Sequence, residues 1–171
     1  MKIFLASDHA GYELKEKVGV WLRELDHEVV DLGPYQFLAD DDYPDYIKLA
    51  AEELSKACVK YHSLKSVAND LEIDPDCARA IIFGYSGEGE AMVANRYPGV
   101  RATVYYGGPM DIIYLSRQHN DANTLSFGAH FVKEKEAREA LELWMNTEFS
   151  GDERHIRRLK KIDQPLGPDI I

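Results

Sequence analysis

Between residues 84 and 95 the chain reads Gly-Tyr-Ser-Gly-Glu-Gly-Glu-Ala-Met-Val-Ala-Asn, which sets Ser86, Glu88 and Glu90 among three glycines. The largely apolar run Ala78–Phe83 before it reads as a buried strand, and the segment after it as a helix. Glycines let such a turn bend tightly and approach a ligand, while the unpaired N–H groups of a helix start suit an anion or a developing oxyanion. A phosphate loop needs the glycines but has no evident use for the carboxylates. A proton-transfer site uses both, so the pattern points to an enzyme. Each group also has a structural use. An acid in a first helical turn is favoured by the helix dipole, and a serine there can cap the helix.

Other residues could join this chemistry. Asp8 and His9 follow the apolar run Lys2–Ser7, at the end of a strand from which side chains reach a ligand; Asp8 could equally cap the next helix. Arg154 and Arg158 stand four apart on one helix face, in a segment, 154–161, that holds five of the chain's 20 Lys and Arg residues. Both guanidiniums could converge on one phosphate, or the cluster could simply complement a helix C-terminus. The six histidines are scattered, with no HxxxH or Cys/His cluster, so no metal site is indicated. The glycine turn lacks the GxGxxG spacing of a dinucleotide site, so NAD is not expected and no cofactor is assigned.

The elements that must hold these groups alternate. Strands are expected at 2–7, 27–32, 78–83, 101–106 and 124–127, and helices at 11–25, 46–57, from the glycine turn to 96, at 109–118, 134–146 and 152–162. Such an order implies an α/β fold, an open five-stranded parallel sheet with helices on both faces, whose ligands sit beyond the carboxyl ends of the strands. With 171 residues the chain fits one domain, taken as 1–162 with an insertion at 60–77 and a Pro/Gly-containing tail at 163–171. The insertion carries a short helical pattern through Leu64, Val67, Ala68 and Leu71, and enters a strand from its N-terminal end. Packing or interface work, not catalysis, is expected of it.

Composition excludes several classes. At 45% hydrophobic and 29% charged residues the chain reads as globular and soluble, with no apolar run of membrane-spanning length and an N-terminus charged too early for a signal peptide. A net charge of −10 argues against nucleic acid as a partner. Two cysteines, Cys58 and Cys77, give no disulfide framework, which suits a reducing compartment and a cytoplasmic location.

Taken in order, Ala6-Ser-Asp-His-Ala-Gly11, Asp42-Tyr-Pro-Asp45, Gly87-Glu-Gly-Glu-Ala-Met-Val-Ala-Asn95, Gly99-Val-Arg-Ala102, Arg117-Gln-His-Asn-Asp-Ala-Asn123, Thr147-Glu-Phe149 and Arg154-His-Ile-Arg-Arg158 resemble the ribose-5-phosphate isomerase type B family, which includes galactose-6-phosphate isomerase subunits. Seven motifs in family order cover nearly the whole chain apart from the insertion and the tail. The resemblance implies a flavodoxin-like or Rossmann-like fold and metal-free interconversion of aldose and ketose phosphates. It also implies a homodimer or homotetramer with active sites shared between subunits.

The resemblance also assigns roles. Family members carry either a cysteine base, which would fall at Gly84 here, or a glutamate base, which falls at Glu90; the sequence therefore resembles the glutamate type. Glu88 is the weaker candidate. Ser86, with the backbone N–H groups of Gly87, Glu88, Gly89 and Glu90, would stabilise an enediolate. Asp8 is assigned to sugar hydroxyls and His9 to the sugar or phosphate end; Tyr43, beside a substrate loop, is a weaker candidate, since loop tyrosines are often merely packed. His119 is the ring-opening acid or base, with Asn120 beside it, and both would reach the site from the partner subunit. Arg154 and Arg158 would hold the phosphate. Two departures stand out: Tyr85 occupies a position usually held by glycine, and His130 one often held by a phosphate-binding arginine. The implied reaction is ribose 5-phosphate to ribulose 5-phosphate. The alternatives are a hexose 6-phosphate isomerase and a non-catalytic sugar-phosphate-binding subunit.

Overall fold

Apolar residues at successive positions of the strands require cover on both faces, and a parallel sheet sandwiched by helices supplies it. The computed structural model describes residues 1–61, 71–73 and 78–163. The order is β1 (Lys2–Ser7), α1 (Tyr12–Glu24), β2 (Glu28–Asp31), α2 (Tyr43–Cys58), β3 (Val59–Tyr61), β4 (Leu71–Ile73), β5 (Ala78–Gly84), α3 (Glu88–Ala94), β6 (Ala102–Tyr105), α4 (Asp111–Gln118), β7 (Thr124–Gly128), α5 (Glu134–Met145) and α6 (Glu153–Ile162). Five strands pair in parallel in the order β2-β1-β5-β7-β6. The expected α/β architecture is therefore the observed one.

Alternation along the strands decides which helix covers which face. Ile3, Leu5, Ile81, Phe83, Leu125 and Phe127 pack with α1, α4 and α5, around a fully buried Trp144. Phe4, Ala6, Ala80 and Ile82 pack against Ile47, Ala50, Ala51 and Leu54 of α2 and Ala94 of α3. From β1 the chain crosses to β2 on one side, and from β5 to β6 and β7 on the other. The carboxyl ends of β1 and β5, where Ser7 pairs with Phe83, thus lie at the point where the strand order reverses, the usual ligand crevice of such sheets.

Three local expectations change. Helix α2 begins at Tyr43 rather than at 46, because Pro44 supplies a fixed φ in the first turn, where its missing N–H costs nothing. Tyr43 is therefore a helix residue, not a loop residue. In the insertion, 62–70 and 74–77 lie outside the described residues, but Leu71, expected in a helical pattern, begins β4, which pairs antiparallel with β3. Cys58 is disulfide-bonded, against the expectation of no disulfide framework, so the inference to a reducing compartment is not carried forward. The chain leaves α2 and re-enters the sheet at one place, with Cys58 Sγ 4.0 Å from the Ala78 carbonyl. Sequence separation concealed that proximity. Cys77 lies outside the described residues. No helix among the described residues is long and apolar enough to cross a membrane.

Candidate active site

The turn from β5 into α3 separates the two glutamates that spacing alone left equivalent. Glu88 is exposed, whereas Glu90 is only 4% exposed. The carboxylate of Glu90 lies over Gly84, so closely that a Cβ added at residue 84 would overlap it. A side chain at 84 and the carboxylate of Glu90 thus compete for the same space. Burial raises the Glu90 pKa above its ordinary value; its own backbone N–H opposes this, and the charge of Asp8 adds to it.

Gly87 is the N-cap of α3 with φ +81°, a conformation that costs other residues strain, and a Cβ there would meet the backbone of Phe127 and Gly128. Ser86 is accordingly not the N-cap, but its Oγ accepts the Glu88 N–H at 3.3 Å. Of the turn's expected oxyanion donors, Glu88 N–H is thereby engaged, and Glu90 N–H faces its own carboxylate. The N–H groups of Gly87 and Gly89 have no acceptor among the described residues. The turn can therefore offer two backbone donors and one hydroxyl to a developing negative charge.

Across the crevice, at the end of β1, Asp8 is 6% exposed and its Oδ1 accepts the Gly11 N–H at 2.9 Å. Burial raises its pKa also, with that hydrogen bond opposing. His9 is held at two points by one atom that sequence reasoning did not single out: Asp41 Oδ1 accepts the His9 backbone N–H at 3.0 Å and lies 2.7 Å from Nδ1. The Asp41 side chain is 4% exposed and that of His9 38%. The hydrogen bond to Asp41 raises the His9 pKa, with the nearby charges of Asp8, Asp41 and Asp40 adding to it. Nδ1 is thus engaged and Nε2 remains for a ligand. Asp41 sits in the run Asp40-Asp41-Asp42, which reads as solvated charge, so only its contact with His9 betrays it.

Tyr43 and His130 frame the turn. A Cβ at Gly89 would come within 2.9 Å of the Tyr43 hydroxyl, so that ring lies against the glycine turn. His130 stacks on Tyr85 with centroids 4.2 Å apart and planes 15° apart, and its N–H donates to the Tyr85 carbonyl at 3.2 Å. The two departures from the family pattern therefore touch each other. Phe131 meets both rings edge-on.

The remaining candidates gather at the opposite end of the sheet. His119 caps α4, before β7 begins, with Asn120 exposed beside it. The turn is pinned from below: Asp121 accepts from Arg117 at 2.8 Å and from Arg101 at 2.6 Å, and Arg117 donates to the carbonyls of Ala122 and Thr147. Helix α6 brings Arg154 here, with His155 stacked on His119 at 4.3 Å, while Arg158 is exposed on the same helix. β7 separates this end from Gly128, whose strand pairs with Gly84, by five residues or about 16 Å. One chain therefore brings together Asp8, His9, Tyr43, Ser86, Gly87, Gly89, Glu90 and His130, and separately His119, Asn120, Arg154 and Arg158. It does not join the two sets. Among the described residues, no group of three or more His, Cys, Asp or Glu side chains is placed to hold a metal ion.

Gly84→Ala tests the shared space directly. The group displaced is the tip of a flexible side chain, so folding should survive while the carboxylate is moved. We expect kcat to fall by about a hundredfold, the size associated with a 1 Å misplacement, with a melting temperature near wild type. Wild-type kcat in this variant would show that the Glu90 position is unimportant.

Known proteins share this fold and much of this sequence. A family model described as ribose/galactose isomerase matches residues 3–63 and 58–162. The ribose-5-phosphate isomerase B of Mycolicibacterium paratuberculosis is 33% identical over 159 residues, covering 93% of this chain and 87% of that protein. The structure of ribose-5-phosphate isomerase B from Mycoplasma genitalium, with bound ribulose-5-phosphate, superposes with a TM-score of 0.80 at 33% identity, covering 95% of this chain and 93% of that one. The ribose-5-phosphate isomerase B of Clostridium thermocellum gives 0.79 at 32% identity, with 95% of each chain covered.

Proposed function

Since the chain belongs to the ribose/galactose isomerase family, we propose that it interconverts ribose 5-phosphate and ribulose 5-phosphate by moving a proton between C1 and C2, with Glu90 as the base. The observation that carries this reading is the Glu90 carboxylate, buried over Gly84 at the strand-order reversal and facing a turn with two unengaged N–H groups. A buried carboxylate, its pKa raised above the ordinary value, can take a carbon-bound proton and return it.

Ring opening comes first: His119 moves the C1 hydroxyl proton to the ring oxygen, freeing the aldehyde. Glu90 then takes the C2 proton, and the electron pair of that C–H bond leaves O1 negative in an enediolate. Ser86 and the N–H groups of Gly87 and Gly89 stabilise that charge. Glu90 returns the proton to C1 while the O2 hydroxyl proton passes to O1, giving the ketose. Asp8 faces the sugar hydroxyls, and His9, with Nδ1 tied to Asp41, presents Nε2 to the substrate.

Because His119 and the arginine pair lie at the far end of the sheet from their own chain's Glu90, they act on the substrate held at a second copy's Glu90. The working unit is thus at least a homodimer. Two identical split sites follow from a single two-fold axis. A phosphorylated sugar does not cross membranes unaided, so the enzyme works in the compartment where its substrate is made.

Assay of the purified protein on a panel of aldose phosphates tests the reading. Turnover of ribose 5-phosphate by the single polypeptide is expected; turnover confined to hexose 6-phosphates would move the substrate, and binding without turnover would contradict the enzyme. The pH dependence carries a signed prediction. A base whose pKa is raised loses its reactive form as pH falls through that raised value. The acid limb of kcat/KM should therefore lie above the ordinary carboxylate value of 4.5, and should vanish from the residual activity of Glu90→Gln. An acid limb at or below that value would contradict the buried base.

A further inference from the structure

We propose that His155 is a positioning residue: as a neutral imidazole it holds the ring-opening side chain of His119 by stacking and aims the guanidinium of Arg154 by accepting its Nε–H. This rests on the functional reading above and extends it to a residue assigned no role there. His155 is 4% exposed, on the inner face of α6, and its backbone N–H donates to Asp152 at 2.8 Å. Its ring lies 4.3 Å from that of His119 with the planes 13° apart. Arg154 Nε donates to its Nε2 at 3.1 Å.

Those two contacts fix the protonation state. A nitrogen that accepts an N–H carries no proton, so the imidazole is the Nδ1–H tautomer and uncharged. Stacking makes the same demand. Two imidazolium rings 4.3 Å apart would repel, and His119 must gain and lose a proton in each turnover, so His155 has to be the member of the pair that stays neutral.

The charged groups around it are His119 from α4 and, from its own helix and cap, Arg154, Arg158 and Asp152, whose Oδ2 lies 3.8 Å from Nε2. Burial pushes its pKa down, and His119 and the arginines push the same way against Asp152. The guanidinium benefits because the Arg154 side chain is 59% exposed and would otherwise sample many rotamers. Engaging Nε leaves the two terminal nitrogens as the fork that grips phosphate. One buried ring thereby keeps the phosphate anchor and the ring-opening group in a fixed relation.

Two replacements separate the two functions. His155→Phe keeps a flat ring against His119 but has no acceptor for Arg154; His155→Gln keeps an acceptor but has no aromatic face. Turnover in both directions, set beside exchange of the C1 proton of ribulose 5-phosphate with solvent deuterium, reads them apart, because ribose 5-phosphate is mostly a ring, whereas ribulose 5-phosphate, its O5 esterified, is open-chain and exchanges without any ring step. For His155→Phe we expect KM to rise about tenfold in both directions with kcat near wild type. For His155→Gln we expect kcat from ribose 5-phosphate to fall about tenfold with KM little changed, and kcat/KM from ribulose 5-phosphate to fall by the same factor, as the fixed equilibrium constant requires, while exchange of the ribulose 5-phosphate C1 proton with solvent stays near wild type. Loss of kcat and gain in KM by the same factors in both variants, with proton exchange slowed alongside, would reduce His155 to packing, and so would wild-type kinetics in both.

Nitrogen-15 NMR of the wild-type imidazoles needs neither turnover nor a variant. A neutral Nδ1–H His155 at pH 7 is expected; a charged ring or an Nε2–H tautomer would overturn the proposal. Absence of wild-type turnover would sink the isomerase reading while leaving the NMR result to decide on His155.

Discussion

Glu90→Gln should lower kcat by roughly a thousandfold, the range for loss of a general base, while KM for ribose 5-phosphate stays within about twofold. The amide fills the same space over Gly84, so the turn keeps its shape, yet it cannot accept the C2 proton. The phosphate contacts, being far from this group, are untouched. A second consequence has the opposite sign. Burial raises the Glu90 pKa, so the ionised form costs folding stability at pH values above that raised pKa, and the cost disappears as the group protonates. A neutral amide avoids it. The melting temperature of Glu90→Gln at neutral pH should therefore equal or exceed that of the wild type, a trade of stability for activity common at proton-transfer sites. Steady-state kinetics and thermal melts on the one variant check both, and a variant that is active and less stable would assign Glu90 a structural role.

Complementation between two inactive variants should restore activity. Glu90→Gln spoils the end of the sheet that holds Ser86 and Asp8, and His119→Ala spoils the end that holds Arg154. Each homo-oligomer carries one defect in every site. If a site takes one end from each of two copies, a mixed dimer holds one site with both defects and one with neither. Random reassortment makes half the dimers mixed, each with one of its two sites intact, so activity should recover to roughly a quarter of wild type. Sites formed within one chain would give no recovery at any mixing ratio. Unfolding and refolding the two variants together, with each refolded alone as reference, reads the difference.

The strands were legible because each is a short apolar run flanked by turn residues, and Ala78–Gly84 at the centre of the sheet is buried throughout. Their order as an alternating α/β chain is enough to place the glycine turn at the carboxyl end of β5. Spacing could not choose between Glu88 and Glu90, since both stand in a first helical turn where the dipole favours acids. Burial chooses, and burial depends on Gly84 leaving room. Asp41 and His155 were illegible for a related reason. Asp41 acts on a residue 32 positions away, and His155 meets His119 only because α6 packs beside the end of α4. Pairings between distant segments leave no periodicity to read. Cys58 belongs with them: its disulfide follows from the chain returning to its own departure point.

A crystal structure with a phosphorylated hydroxamate, a planar mimic of the enediolate that keeps the substrate's phosphate, tests the central claim most directly. The Glu90 carboxylate should lie about 3 Å from the planar group, at hydrogen-bonding distance, with the Gly87 and Gly89 N–H groups on its oxygen. The phosphate should sit between Arg154 and Arg158 of a second copy. A mimic bound with Glu90 turned away, or with its phosphate held only by residues of the chain that supplies Glu90, would contradict the account.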